Sequence, residues 1–288
     1  MDVESRPGPA AVPEPYLSAY DALLARWPVP VDVLELPSVY GTTRVNACGG
    51  KDAPPLVLLA GGFATSTVWF ANVAALSAVY RVYAVDVIFD QGRSIASGRP
   101  VDGAGPLADW LDTVFDALGL DEAVLCGHSY GGWIALQYAL HAPRRLTRLA
   151  LLDPTQCFAG FSPRFLLHSV PVMARPTAKR TLTHLSWETD GAPLDRDWLA
   201  LQAAGARVPR PRLVPARVPS AETLRTLTTP VLLILAGRSK AHDVARVERR
   251  ARETVPDLTV RTLPNATHFT IPALHSSDVN RELLAGLA

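Results

Sequence analysis

The chain predicts an α/β layered fold: a mostly parallel central sheet, helices on both faces, and a helical cap inserted late in the sequence. Three observations carry this. Continuous apolar runs at 56–60, 81–87, 123–126, 146–153, 231–236 and 258–263 have the composition of strands covered on both faces. The segments between them, at 67–78, 106–118, 130–142, 243–254 and 273–287, show helical spacing of apolar residues, which gives right-handed βαβ units. Between Asp153 and Val231 the alternation lapses for about 75 residues, too long for a plain loop.

The elements follow in order. Residues 1–15 hold four prolines and little to bury, and read as a flexible or loosely docked arm. Tyr16 to Trp27 carries helical spacing that Pro28 stops. VDVLEL at 31–36 and TRVNAC at 43–48, joined across Tyr40-Gly41, form a leading antiparallel hairpin. The body is expected over 16–153 and 230–288, with the cap at 154–229 as short helices of its own. Phe158, Phe161, Phe165, Trp187 and Trp198 stud that cap, expected mainly to pack on the body and in part to line an acyl pocket. With Trp69 and His128, the aromatics Phe158, Phe161 and Trp187 are the candidate substrate-binding residues. The Pro/Arg-rich stretch 205–220 reads as the cap's extended return, or alternatively as a mobile gate.

Composition narrows the partners. The chain is long enough for one large domain with an inserted lid. Its 28 basic and 27 acidic side chains nearly cancel, which gives no electrostatic reason to expect nucleic acid or an anionic membrane surface. A small, weakly charged partner is expected, and the oligomeric state is left open. Cys48, Cys126 and Cys157 are far apart, odd in number and without metal-site spacing, which suits a reducing cytosol and neither a disulfide framework nor a metal. No cofactor is implied. The first residues lack the basic-then-apolar pattern of an export signal, and no run reaches the roughly 18 apolar residues of a membrane span.

The chemistry centres on residues 122–142, where an apolar strand runs into Gly127-His128-Ser129-Tyr130-Gly131 and leaves as a helix. A G-x-S-x-G turn between strand and helix projects its central hydroxyl, so Ser129 is the candidate nucleophile. The Tyr130 N–H, at the helix start, would face a developing oxyanion and gain from the helix dipole. A second N–H is expected from Gly62 or Phe63, in the glycine turn after the first parallel strand. Of the seven histidines, His268 follows the last strand and is the candidate general base. The orienting acid is ambiguous. Asp153 directly follows one strand; Asp243 lies late in the loop after the next, well placed to cap a helix instead. Asp153 is preferred, with Asp243 as the alternative.

Together these residues resemble the α/β-hydrolase superfamily from about residue 16 onward. In detail they are similar to its bacterial naproxen-type carboxylesterase branch, through AGGFATSTVWF at 60–70, YRVYAVDVIFDQGRS at 80–94, GHSYGG at 127–132, LLDPTQCF at 151–158 and PNATHF at 264–269. The resemblance implies an α/β-hydrolase fold, Ser129 as nucleophile and His268 as base. Two positions depart from the pattern. Ala60 stands where the superfamily commonly has histidine, and the family's acid position falls on Lys240. A lysine cannot orient a protonated imidazole, which is why the acid is sought at Asp153 or Asp243.

The leading expectation is a serine hydrolase that cleaves carboxylic esters of a small to medium apolar substrate through an acyl-enzyme. A thioesterase, lactonase or cyclase would keep the chemistry and change the acceptor. A non-hydrolytic, ligand-binding member with an impaired triad is the third reading, prompted by Lys240 and Ala60.

Overall fold

The computed structural model describes residues 12–209 and 213–287. Most of the arm expected over 1–15 lies outside those residues. The chain is already helical from Glu14 in α1 (Glu14–Leu24), because a proline in the first turn removes an N–H that would have no helical partner anyway. The hairpin follows as β1 (Asp32–Ser38) and β2 (Gly41–Cys48), then β3 (Pro55–Leu59). The helix expected over 67–78 is instead a 3-10 turn, Ser66–Ala71, and a short α2 (Val73–Ser77). Its break has local causes. Asp86 takes the Ser66 N–H at 2.8 Å, and the Asn72 side chain turns away to donate to Asn280 Oδ1 at 2.9 Å.

The chain continues as β4 (Arg81–Val85), a two-residue β5 (Ile95–Ala96) that the apolar pattern did not reveal, α3 (Ala104–Ala117), β6 (Ala123–His128), α4 (Ser129–His141) and β7 (Leu146–Leu152). Four helices then interrupt the alternation: α5 (Pro163–Ala174), α6 (Ala178–Glu188), α7 (Arg196–Gly205) and α8 (Ala221–Arg225). The alternation resumes with β8 (Val231–Ala236), α9 (Val244–Thr254), β9 (Leu258–Leu263) and α10 (Ser276–Gly286).

Among the described residues one sheet forms, in the order β1-β2-β4-β3-β6-β7-β8-β9, with β5 beside β2. β1, β2 and β4 pair antiparallel; every pairing from β4 through β9 is parallel. β3 lies between β4 and β6, so the direction of travel across the sheet reverses there. The loops after β3 and β6 consequently meet at the carboxyl edge, where such sheets place their ligands.

Alternation within the strands fills two cores. Val57, Leu59 and Leu125 face α3, α4 and α9, whereas Leu56, Leu58 and Cys126 face α1, α2 and α10. Both faces are thus covered, as the unbroken apolar runs predict. Cys48, Cys126 and Cys157 are free and buried.

The segment 154–229 is tied to this body at both ends. Arg26, just past α1, pairs with Asp195 and Asp197 at the start of α7. Along the return, Tyr130 Oη, Gln156 Nε2, Trp133 Nε1 and Arg250 Nη2 donate to the carbonyls of Val214, Ala216, Arg217 and Pro219 at 3.0, 3.2, 3.0 and 2.8 Å. From 213 to 219 the chain is thus held as a strap by these four bonds; 210–212 lie outside the described residues.

Two glycines allow β6 and α4 to meet. A Cβ on Gly127 would fall 2.3 Å from the Gly131 carbonyl oxygen, and one on Gly131 2.3 Å from the Ala60 oxygen. Both obstacles are backbone, which cannot give way as a side chain would. Gly131→Ala is expected to destabilise the protein by about 3 kcal/mol or more, read as a fall in the thermal midpoint; an unchanged midpoint would show that the junction has slack.

Candidate active site

Ser129 is the first residue of α4 and has φ of +54°, in the left-handed region that a non-glycine residue enters only under strain. That strain is what a sharp strand-to-helix turn demands, and it presents the side chain at the carboxyl edge. Ser129 Oγ lies 2.8 Å from His268 Nε2. His268 is supplied by the loop after β9, which is fastened to the end of β8 through Gly237 N–H to Leu263 O at 2.8 Å and Arg238 N–H to Ala266 O at 2.9 Å. Asp153, immediately after β7 and at φ +39°, places Oδ2 2.6 Å from His268 Nδ1. An ionised carboxylate only accepts, so Nδ1 carries the proton, and the lone pair of Nε2 is left to receive the Ser129 hydroxyl.

Asp153 has no exposed surface, and its charge is met by four donors. Oδ1 accepts from the Ala236 N–H and from His242 Nε2, each at 3.1 Å; Oδ2 accepts from Ser239 Oγ at 2.7 Å as well as from His268. Burial alone would raise its pKa. The charge and hydrogen bond of His242, followed by those of His268, outweigh burial and hold it well below the ordinary carboxylate value. Asp243, the alternative acid, is corrected: its Oδ1 accepts the Arg246 N–H at 3.0 Å and caps α9. Lys240 points elsewhere, its ammonium on Asp190 Oδ1 at 2.6 Å and 5.0 Å from the centre of the Trp187 ring.

The two candidates for the second oxyanion donor are separated. The Phe63 N–H is taken by both oxygens of Asp90, at 3.0 and 2.9 Å, with Phe63 at φ +62°. Phe63 is therefore corrected, and Gly62 is left. The glycine turn is pressed against the elbow: a Cβ on Gly61 would come within 3.1 Å of Ser129 Cβ, and one on Gly62 within 3.4 Å of Tyr130 Cβ. Burial pushes the Asp90 carboxyl up to about 7, against the hydrogen bonds from Gln91 and Phe63.

The candidate binding residues divide as well. Trp69, in the 3-10 turn, and Phe158 have no exposed surface and belong to the two cores. His128 donates from Nε2 to the His268 carbonyl at 2.9 Å, and burial followed by repulsion from His268 lowers its pKa to about 3, so it acts as a neutral strut for the base loop. Phe161 is half-buried and stacks on Phe165 at 5.4 Å, and Phe165 meets the His268 ring edge-on at 6.3 Å. Trp187 stacks on His168 at 3.8 Å.

Four side chains that the sequence reading did not assign a part complete the site: Asp90, Ser239, His242 and Glu188. Glu188 ends α6, is fully buried, and accepts the N–H groups of His268 at 3.0 Å, Phe269 at 3.1 Å and Lys240 at 3.3 Å. No motif announces it. The only signal was a lone acid closing an otherwise acid-free stretch from 154 to 187.

A strained serine at a strand-to-helix turn, hydrogen-bonded in series to a histidine and a buried aspartate on a sheet of this order, defines the serine-hydrolase class of α/β proteins. The chain belongs to the alpha/beta hydrolase family, whose model matches residues 56–282. Among its relatives, carboxylesterase YbfK of Bacillus subtilis is 31% identical over 263 residues, covering 88% of this chain and 87% of that one. The uncharacterized carboxylesterase nap of the same organism is 33% identical over 264 residues, covering 88% and 86%. The crystal structure of naproxen esterase from Bacillus subtilis superposes with a TM-score of 0.89 at 29% identity, over 96% of this chain and all of that one. No helix among the described residues is long and apolar enough to cross a membrane.

Removing the Glu188 carboxylate would leave three amides of the base loop and the β8 loop without their acceptor. Each such loss costs about 1–3 kcal/mol when buried, so Glu188→Ala is expected to lower the thermal midpoint and speed hydrogen exchange at His268 and Phe269. Unchanged exchange at those two amides would mean that Glu188 does not hold the loop.

Proposed function

We propose that the protein is a carboxylic-ester hydrolase that works through an acyl-enzyme on a small to medium apolar substrate. The observation that carries this is the unbroken series Ser129–His268–Asp153, at 2.8 and 2.6 Å. The full-length likeness to proteins named carboxylesterases supports the choice of ester as substrate.

In this reading His268 Nε2 withdraws the Ser129 proton as Oγ attacks the ester carbon. The imidazolium that forms is stabilised by Asp153, and the carbonyl oxygen is received by the N–H groups of Tyr130 and Gly62. His268 then returns the proton to the leaving alcohol, which departs as the acyl-enzyme forms. Water enters, gives its proton to the same nitrogen, and releases the acid and Ser129. The residues 154–229 act as the cap on the body formed by 16–153 and 230–288, with the Phe161–Phe165 stack bordering the base. Three free cysteines suit a reducing cytosol. The non-hydrolytic reading loses its main support, because Asp153 supplies the charge that Lys240 cannot.

Wild-type protein is expected to take a fluorophosphonate label that Ser129→Ala abolishes. A folded wild type that never takes it would overturn the proposal. Asp153→Asn is expected to lower kcat on a p-nitrophenyl ester by about 10⁴-fold, whereas Asp243→Ala should cost only about 1 kcal/mol of stability through its lost cap and leave kcat near wild type. The reverse ranking would return the acid to the β8 loop.

A further inference from the structure

We infer that His242 is a positioning residue for this site: a second imidazole on the orienting carboxylate, whose own proton uptake withdraws the support Asp153 gives His268. The inference rests on Asp153 being the orienting acid.

The geometry is a three-body one. Asp153 lies between two imidazoles, His268 on Oδ2 at 2.6 Å and His242 on Oδ1 at 3.1 Å, and both rings are almost completely buried. Since the carboxylate only accepts, His242 must present Nε2–H to it. That fixes the tautomer and leaves Nδ1 with the lone pair. Nδ1 is buried and has no hydrogen-bond partner among the described residues. A purely structural histidine would be expected to spend both nitrogens; here one is spent and the other is a vacant base next to the charge of the triad.

The charges around it favour proton uptake. Asp153 faces His242 from the end of β7, Asp243 from its own loop and Glu188 from α6, while the His268 ring lies edge-on at 6.5 Å from the loop after β9. Burial works against a charged imidazole, yet the attraction of Asp153, reinforced by Asp243 and Glu188, raises its pKa above the ordinary histidine value.

A proton arriving from solvent on Nδ1 makes His242 cationic. Its positive charge then neutralises Asp153, and the imidazolium that must form at His268 during attack loses much of its stabilisation. No bond other than N–H changes. Full activity therefore needs both rings neutral in the resting enzyme. As pH falls, two protonations remove activity rather than one, and the acid limb of kcat/KM is steeper than a single ionisation allows.

The test is the pH profile of ester hydrolysis by wild type, His242→Gln and His242→Phe, with Tm confirming folding. Wild type is expected to show an acid limb whose logarithmic slope exceeds one. In His242→Gln, whose amide reaches to the position of Nε2 and can still donate to Asp153 but cannot titrate, the slope falls to one and activity persists to lower pH, with kcat at alkaline pH reduced by about threefold. His242→Phe leaves Oδ1 one donor short, and kcat should fall by about tenfold or more across the profile with KM little changed. Should the substitutions prevent folding, ¹⁵N-histidine NMR of wild type gives the answer directly: His242 is expected as the Nε2–H tautomer at high pH, gaining a proton across the acid limb. An acid limb identical in wild type and His242→Gln, or a His242 ring that stays neutral throughout, overturns the inference. Failure of the hydrolase reading is told apart by Ser129→Ala and Asp153→Asn, whose loss of label or rate does not involve His242.

Discussion

A carboxylate with no exposed surface can keep its charge only if donors meet each of its lone pairs, and the carboxyl edge of this sheet is arranged around that requirement. Asp153 draws one donor from the last residue of β8, two from the loop that follows it and one from the loop after β9. Those contacts orient the His268 ring and thereby aim Nε2 at Ser129. Removing the charge would leave four polar groups facing each other in a dry interior, a far larger disturbance than the loss of one hydrogen bond.

How much of this was readable beforehand follows from where each constraint originates. The strands of the sheet and the elbow are local: unbroken apolar runs and small residues flanking Ser129 encode them within a few positions. His268 was readable because it lies in the loop directly after the last strand, whereas His275 comes later, at the start of the final helix. The acid was readable only as a preference for Asp153 over Asp243, since each lies in the loop after a strand and the choice depends on which strand ends lie side by side in three dimensions. Phe63 failed as an oxyanion donor for a reason no window of sequence holds, because Asp90, 27 positions away, takes its N–H. Whether Trp69 and Phe158 line a pocket or fill a core could not be read from sequence, because both settings select the same apolar side chains; in the fold both are buried in the cores. His242 and Glu188 combine both difficulties, being ordinary residues in ordinary surroundings until the fold brings Asp153 and the His268 amide against them.

The position that departs from the family pattern acquires a physical meaning here. With Asp153 at the end of β7 in contact with the imidazole, the proposed triad needs no carboxylate from the β8 loop. Lys240 is free to reach outward to Asp190 and lie over the Trp187 face, while its own N–H is received by Glu188. The loop changes from a source of charge to a junction between the body and α6, and the base loop is held by the same carboxylate through His268 and Phe269.

The side chains that hydrogen-bond the strap from 213 to 219 all reach its main chain: Tyr130, Gln156, Trp133 and Arg250 donate to its carbonyl oxygens. Those bonds are indifferent to the identity of the gripped residues, whereas Val214 adds a buried side chain to the core. Leu213, whose Cδ1 comes within 3.4 Å of the position of a Gly62 Cβ, shows that this same stretch overhangs the glycine turn. Leu213 can thus be exchanged without touching any of these four hydrogen bonds, so what overhangs the glycine turn and what fastens the strap to its donors reside in different atoms of the same stretch.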